Sequence, residues 1–132
     1  MTQTQPETQT EADVSAIVWA FYDAFRDRRR DLADKLAAPQ FSFTSPYDDR
    51  IDRTTFFERC WPNGDRFSDF RIELLQATAE GAFVTYLVTT LDDMTFRNTE
   101  YLTVSGGQVT SVNVYFGASY RRGRFIAKTI ET

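Results

Sequence analysis

The chain of 132 residues contains no histidine, and this absence restricts its chemistry more than any residue that is present. Without an imidazole, Ser-His-Asp and Cys-His catalysis are excluded, and the commonest zinc ligand is missing. Any proton transfer must therefore use Asp, Glu, Tyr, Lys or Cys, and no metal site is expected.

Cysteines, phosphate-binding glycine motifs and long apolar runs are equally scarce. Cys60 is the only cysteine, so an intramolecular disulfide cannot form. Neither GxxxxGK[ST] nor GxGxxG is present to bind nucleotide phosphates, and no signal-peptide segment or stretch of ~20 apolar residues is found. We therefore expect a cytoplasmic protein that uses no cofactor and does not act at a membrane.

The net charge of −4 and the sequence pI near 4.8 leave no strongly basic face. Nucleic-acid-binding proteins usually present such a face, so no nucleic-acid partner is expected. The run Arg28, Arg29, Arg30 is typical of a solvated helix end, where cations suit the helix dipole. The length allows one hydrophobic core, which predicts one globular domain.

The N-terminal third predicts a polar tail followed by two helices. Residues 1–12 are polar and aperiodic, so we expect a disordered tail that does not dock on the domain. Thr10 to Asp13 matches a capping box. Apolar residues then recur at three- and four-residue spacing, which predicts a first helix ending near the arginines: Val14, Ile17, Val18, Phe21 and Phe25. Asp31 is predicted to cap a second helix that Pro39 ends.

A short strand, a third helix and a run of strands complete the prediction. "FSFTSP" alternates as a strand, and Asp52 is predicted to cap a helix carrying Phe56, Phe57, Cys60 and Trp61. From Phe67 the apolar period becomes two, which predicts hairpin-linked antiparallel strands: 67–78, 82–91, 94–104 and 109–117. This order is typical of an α+β fold with helices on one face of the sheet.

A carboxylate interrupts the third of these strands, "FRNTEYLTV". A two-residue Asp92-Asp93 loop would place Thr85 opposite Glu100, and Phe83 opposite Leu102. In the next hairpin, a two-residue Gly106-Gly107 loop would place Asn113 near Glu100, whereas a three-residue "SGG" loop with a glycine bulge would place Val112 there.

The three-residue loop keeps one row of the last strand on the buried face, which favours it: Val112, Val114 and Phe116. Glu100 would then point into an apolar, helix-covered cavity with Asn98 beside it, and burial would raise its pKa. In the alternative, Glu100 lies near a sheet edge, where it reaches water or pairs with Arg97 or Arg71.

Three stretches carry a resemblance to a known superfamily: "FYDAF" in the first helix, "FSFTSPYDDRIDRTTFFERCW" in the middle and "GQVTSVNVYFG" at the end of the sheet. The chain resembles the nuclear-transport-factor-2-like (NTF2-like) superfamily over 13–117, most closely its SnoaL-like and ketosteroid isomerase-like members. The resemblance implies a conical, cystatin-like fold with a bent antiparallel sheet around three N-terminal helices, an apolar pocket and a homodimer. Residues 118–132 would form a C-terminal extension.

The resemblance also assigns three catalytic positions. In ketosteroid isomerases, a tyrosine and a protonated aspartic acid form the oxyanion hole, and an aspartate before a proline is the base. A gapless match places Phe21 at the tyrosine, Ser45 at the base and Glu100 at the protonated acid. Only the third role is retained, so classical steroid isomerisation is not expected.

The expected catalytic residues are Glu100, Asp48 and Tyr22. Tyr22 could instead shield the core, and the stretch from Tyr47 to Asp49 could simply be a turn. Cys60 and Trp61 are more typical of core packing. The predicted ligand-binding residues line an apolar pocket: Phe21, Ser45, Tyr47, Phe57, Trp61, Phe83, Asn98, Leu102, Val112, Val114 and Phe116.

The expected function is binding of a small apolar or cyclic organic molecule. The protein would be a cofactor-independent isomerase, cyclase or hydrolase using acid–base chemistry, or alternatively a non-catalytic ligand-binding or dimerisation module. A homodimer is expected through the convex sheet face, because a row of aromatic and β-branched residues would otherwise be exposed there: Val84, Tyr86, Val88, Tyr101, Asn113 and Tyr115.

Overall fold

The computed structural model describes residues 8–127 and has an α+β fold, as predicted. The helices are α1 (Glu11–Arg26), α2 (Arg30–Leu36) and α3 (Arg53–Arg59), and a 3₁₀ helix spans Trp61–Arg66. The strands are β1 (Ala37–Ser45), β2 (Asp48–Asp52), β3 (Phe67–Ala77), β4 (Gly81–Thr90), β5 (Met94–Ser105), β6 (Gln108–Arg121) and β7 (Arg124–Ile126).

The strands form one bent, unclosed sheet with the order β2-β1-β6-β5-β4-β3, and β7 pairs with β6. Neighbouring strands run antiparallel except for β1 and β6, which are parallel. The expectation of a wholly antiparallel sheet was therefore wrong. Register shifts interrupt several of the strand pairs, and such bulges bend a sheet and increase its twist.

Helix α1 lies across the inner face of the sheet and forms the centre of the core. Its capping box is confirmed: Asp13 N donates to Thr10 Oγ1 at 3.1 Å, and Thr10 N donates to Asp13 Oδ2 at 2.9 Å. Val14 and Val18 are fully buried against the sheet. Full burial of a Val or Leu side chain stabilises a fold by roughly 1.5–3 kcal/mol, so this face of α1 anchors the helix on the sheet.

The N-terminal segment and α2 differ from their predictions. Residues 1–7 lie outside the described part of the chain, but 11–12 already belong to α1 and Gln9 docks on the sheet. Asp31 was predicted to cap α2 but lies within its first turn. The N-cap of α2 is Arg29, which makes no side-chain capping bond. Helix α2 ends at Leu36, and Pro39 lies inside β1.

The predicted cap of α3 is confirmed, since Thr55 N donates to Asp52 Oδ1 at 2.9 Å. Helix α3 ends one residue before Cys60, and Trp61 begins the 3₁₀ helix. The β1–β2 hairpin was not predicted. A register shift within the hairpin leaves Arg50 of β2 in the left-handed region (φ 48°), and Arg50 N donates to Thr44 Oγ1.

The register of β4 against β5 differs by one residue from the prediction. The connection is the three-residue loop 91–93, with Asp93 in the left-handed region (φ 65°), rather than Asp92-Asp93 alone. Glu100 therefore pairs with Val84 and not with Thr85. A one-residue shift exchanges the two faces of a strand, so every side chain of β4 points opposite to its predicted direction.

The prediction of a three-residue "SGG" loop between β5 and β6 was also wrong. The turn is Gly106-Gly107, with both φ angles positive, and an extra residue in β6 at Thr110 forms a bulge. The bulge places Val114 opposite Glu100. Because the bulge restores the alternation, Val112 and Val114 still lie on the buried face, as expected.

Strand β6 continues beyond residue 117, where the domain was predicted to end, and turns into β7. Residues 118–126 thus belong largely to the sheet, while 128–132 lie outside the described range. Among the described helices, none is long and apolar enough to cross a membrane.

Candidate active site

A cavity of about 590 Å³ lies between the inner face of the sheet and the helices. Its wall is mostly aromatic and aliphatic, with Phe21 from α1, Phe43 from β1, Phe70 from β3 and Val114 from β6. Tyr47 is half exposed and packs on Phe116, with their ring centroids 5.2 Å apart. The volume and lining are typical of small-molecule sites, which usually have about 300–1,000 Å³ and few polar groups.

The Glu100 carboxyl group is held in this wall by two phenols. Tyr22 Oη donates a short hydrogen bond to Glu100 Oε1, and Tyr86 Oη donates to Oε2 at 2.6 Å. Asn98 Nδ2 donates to Tyr86 Oη at 3.1 Å, so the amide fixes the second phenol. We call Tyr22, Tyr86, Asn98 and Glu100 the carboxyl cluster. The alternative of an exposed or ion-paired Glu100 was wrong, because Arg97 pairs with Glu73 instead.

Burial dominates the electrostatics of the carboxyl cluster. It raises the pKa of Glu100 above its usual value, and the two phenol hydrogen bonds only partly oppose this because they stabilise the charged form. The pKa values of Tyr22 and Tyr86 are raised well above normal by burial and then by the Glu100 charge. The two phenols therefore remain donors, and Glu100, with its raised pKa, is the member of the cluster suited to exchanging a proton with a ligand.

Local structure explains how each cluster member reaches the cavity. Tyr22 lies one helical turn after Val18 on the buried face of α1, while Tyr86, Asn98 and Glu100 share the inner row of β4 and β5. Gly117 N donates to Asn98 Oδ1 at 3.3 Å. A Cβ at Gly117 would come within 2.0 Å of the Arg97 carbonyl oxygen, so only glycine lets β6 approach closely enough to make this bond.

A second carboxyl group lines the same cavity. The side chain of Asp48 is only 8% exposed, and its Oδ1 lies 2.7 Å from Arg59 Nη1. That oxygen accepts no aligned hydrogen bond from residues 8–127, so the contact is a charge pair. Cys60 lies within the field of both carboxyls, and burial together with Asp48 raises its thiol pKa to about 11. The thiol therefore stays protonated and is a poor nucleophile.

Most of the predicted ligand-binding residues lie on the cavity wall: Phe21, Ser45, Tyr47, Asn98, Val112, Val114 and Phe116. Four do not. Phe83 is 52% exposed on the outer sheet face because of the one-residue shift in β4, and Leu102 is fully buried in the core. Phe57 packs against Phe56 and the Arg30 guanidinium, and Trp61 packs against Phe25 and the Arg28 guanidinium.

Tyr22 provides the hydroxyl that the gapless match could not place at Phe21. The match assigned the phenol position to Phe21, which is buried on the cavity wall, whereas the next residue donates to Glu100. Ser45 Oγ accepts from Tyr47 N at 3.1 Å, which fixes the β1–β2 turn. All three expected catalytic residues line the cavity, and Tyr22 is hydrogen-bonded directly to Glu100.

Tyr86 and Ser119 are cavity residues that the sequence analysis missed. Tyr86 was assigned to the outer face, although a three-residue loop at Leu91 would have placed it inside. Ser119 lay in the predicted extension, where no apolar period marked a strand. No group of three or more Cys, Asp or Glu side chains within the described range could hold a metal ion.

Solved structures share this fold at low sequence identity. A ketosteroid isomerase candidate from Kribbella flavida DSM 17836 superposes with a TM-score of 0.71 and 17% identity, covering 96% of each chain. A SnoaL-like polyketide cyclase candidate from Jannaschia sp. CCS1 has a TM-score of 0.71 and 14% identity, covering 87% of this chain and 91% of that one.

An NTF2-like protein of unknown function from Cytophaga hutchinsonii ATCC 33406 gives a TM-score of 0.62 and 19% identity, over 87% of this chain and 94% of that one. No family model matches the sequence, and no curated protein matches it either. The solved structures show that the chain has the fold that the resemblance implied, and identities this low establish neither family membership nor activity.

Proposed function

We propose that the cavity binds a small apolar or cyclic organic molecule and moves a proton on it without a metal or organic cofactor. The observation that carries this proposal is the buried Glu100 carboxyl, which two phenols hold in an otherwise apolar wall. Strongly perturbed carboxyl groups in apolar cavities are characteristic of acid–base sites. The reaction class is isomerisation, ring closure or hydrolysis.

Glu100 and Asp48 have the different surroundings that an acid–base pair needs. Glu100 has a raised pKa and can be neutral, so its O–H can be donated to a ligand oxygen. Asp48 is paired with the Arg59 guanidinium, which lies 2.7 Å away, and is the proposed base. Tyr22 is a positioning residue, because its hydroxyl is already donated to Glu100.

For a cyclic ketone, the proposed step removes one proton from carbon and adds one to oxygen. The α-carbon loses its proton to Asp48, the C–H electron pair forms the enol double bond, and Glu100 donates its proton to the carbonyl oxygen. The reverse step returns a proton to the carbon and restores both carboxyl groups. In heavy water, this cycle replaces the α-hydrogen with deuterium.

β-Tetralone, a flat bicyclic ketone, is a suitable probe, and its deuterium uptake can be followed by NMR. We expect the wild-type protein to accelerate uptake above buffer, and Glu100→Gln and Asp48→Asn each to lower it about 10²-fold or more. Asp49→Asn is the matched control, because Asp49 is the adjacent carboxylate and its side chain is 83% exposed. Equal losses in all three variants would contradict the assignment.

A non-catalytic binding module is the second candidate. It is favoured by the fact that both Glu100 oxygens already accept hydrogen bonds from the protein, which is also how a purely structural carboxyl is held. The same experiment separates the two functions. Saturable binding of β-tetralone without deuterium uptake would identify a carrier, and absence of binding by this and other cyclic ketones would remove the pocket hypothesis.

A further inference from the structure

Ser119 is a buried hydroxyl that the carboxyl cluster does not use. It is 1% exposed and lines the cavity, and its Oγ has no hydrogen-bond partner among residues 8–127. A register shift leaves one extra residue in β6 between Phe116 and Ser119, so Ser119 lies on the same inner face as Phe116 while Ala118 and Tyr120 are exposed. An unsatisfied buried hydroxyl is unfavourable by about 1–3 kcal/mol, and such a group normally has a partner.

The surroundings of Ser119 explain why it lacks a protein partner. Ser119 pairs with Phe96 on one side and Ile126 on the other, and both residues line the cavity. Met94, the next inward residue of β5, also lines it. The side chains of these flanking residues are apolar and offer Ser119 Oγ no hydrogen bond, so among the described residues this hydroxyl is left open to the contents of the cavity.

Strand geometry gives the separation between Ser119 and Glu100. Glu100 and Phe96, the strand neighbour of Ser119, are four residues apart along β5, which corresponds to about 14 Å between their Cα atoms. Side chains stand roughly perpendicular to a sheet, so this spacing also approximates the gap between the Glu100 carboxyl and Ser119 Oγ. The wall between them includes Phe116 and Asn98.

We propose that Ser119 is a second recognition point, and that the cavity selects molecules carrying a hydrogen-bonding group at each end of an elongated apolar body. The Glu100 carboxyl binds the oxygen at one end, and Ser119 Oγ binds the group at the other. This inference rests on the proposed binding function and defines its ligand class. A hydroxyl that donates and accepts suits a ligand hydroxyl or carbonyl equally.

Two biphenyl derivatives test the proposal directly. p,p′-Biphenol has a hydroxyl at each end of an apolar body, and p-phenylphenol has the same body with one hydroxyl. We expect the wild-type protein to bind the diol more tightly. Ser119→Ala should weaken diol binding by about tenfold, because the second ligand hydroxyl loses its buried partner, and should leave p-phenylphenol unchanged.

Ser105→Ala is the matched control, because Ser105 is an exposed serine at the end of β5 and does not line the cavity. It should not alter the ratio of the two affinities. If Ser119→Ala changes both ligands equally or neither, the second recognition point is refuted while binding itself stands. If the wild-type protein binds neither biphenyl, the ligand class is wrong, and the β-tetralone experiment then decides separately whether the cavity binds ketones.

The stability of Ser119→Ala provides a readout that needs no ligand. Because Oγ has no partner within the described chain, removing it should leave the melting temperature unchanged or higher. A fall of several degrees would show that the hydroxyl stabilises the fold itself. That result would overturn its assignment as a ligand contact.

Discussion

At the scale of single residues, Glu100 combines two opposing influences on one carboxyl group. Burial raises its pKa, and the hydroxyls of Tyr22 and Tyr86 lower it by hydrogen bonding to the charged form. Burial is the larger influence, so the folded protein holds this proton more tightly than the unfolded chain does. The stability of the protein is therefore linked to pH through one identifiable group.

Glu100→Gln tests this linkage. The unfolded carboxyl titrates near ~4.3, so wild-type stability should fall as pH rises from there to the raised folded pKa. Gln does not titrate, and the free energy of unfolding of the variant relative to wild type should therefore increase from pH 5 to pH 8. The gain is about 1.4 kcal/mol for each pH unit of this interval that lies below the folded pKa. Urea unfolding at both pH values measures it.

Glu73→Gln is the control for that measurement. Arg97 Nε lies 2.6 Å from Glu73 Oε1 and lowers the pKa of Glu73, so its titration window lies below the unfolded value. Its stability difference from wild type should be flat between pH 5 and pH 8. A flat difference for Glu100→Gln as well would show that the Glu100 pKa is ordinary.

The direction of Glu100 could be predicted from the sequence because β6 has one clearly apolar row. Val112 and Val114 form an apolar row that has to be buried. A register that buries this row also turns Glu100 toward the interior. The bonding partners of Glu100 could not be predicted in the same way. Tyr22 and Phe21 are adjacent aromatic residues on one helix, and both are buried, so only the packed structure shows which one meets the carboxyl.

At the scale of elements, the β4–β5 hairpin shows where local patterns fail. The stretch from Thr90 to Met94 contains Asp92-Asp93, which resembles a two-residue turn, and an apolar Leu91 that resembles the end of a strand. The structure includes Leu91 in the loop, where it is 71% exposed. Both faces of β4 are apolar enough to be buried, so composition alone could not reveal the one-residue error.

The N-terminal segment forms a second element-scale feature, a docking contact on the sheet. Gln9 Nε2 donates to the carbonyl oxygens of Ala79 at 2.7 Å and Val104 at 2.6 Å. It thereby ties the start of α1 to the β3–β4 turn and to the end of β5. The expectation that the polar tail makes no contact with the domain was wrong at this residue.

Gln9→Ala should lower the free energy of unfolding by about 1 kcal/mol, because two carbonyl oxygens lose their donor and water replaces it only partly. Chemical denaturation measures the change. Gln40→Ala is the matched control, since Gln40 is exposed on β1 and makes no side-chain hydrogen bond with the described residues. Equal stability of the two variants would show that the Gln9 contact contributes nothing.

At the scale of the whole molecule, the outer face of the sheet carries an apolar surface that the helices leave uncovered. Leu74 and Tyr115 are each 59% exposed, Phe83 is 52% exposed, and its ring lies 4.6 Å from that of Tyr101. The predicted dimer row included Val84, Tyr86 and Val88, which in fact face inward. Tyr101, Asn113 and Tyr115 remain from that row, and Leu74 and Phe83 replace the buried members.

We propose that a second copy of the chain covers this outer face, since exposed apolar clusters of this kind mark interaction surfaces. The wild-type protein should sediment as a dimer at micromolar concentration, and Phe83→Asp should give a folded monomer. Leu91→Asp is the control, because it adds the same charge at an exposed apolar residue in the β4–β5 loop. A wild-type monomer, or a dimer that survives Phe83→Asp, would contradict this interface.

The parallel pairing of β1 with β6 could not be predicted, because nothing near either strand marks the other as its partner. It also has a kinetic consequence. The pair closes a loop of roughly seventy residues. Closing so long a loop costs chain entropy, so we expect this pair to form after the local hairpins. Phe43 and Ser45 on β1 meet Val112 and Val114 on β6 in that step. We therefore expect the cavity to form at the end of the folding reaction, and a bound ligand to slow unfolding rather than to hasten folding.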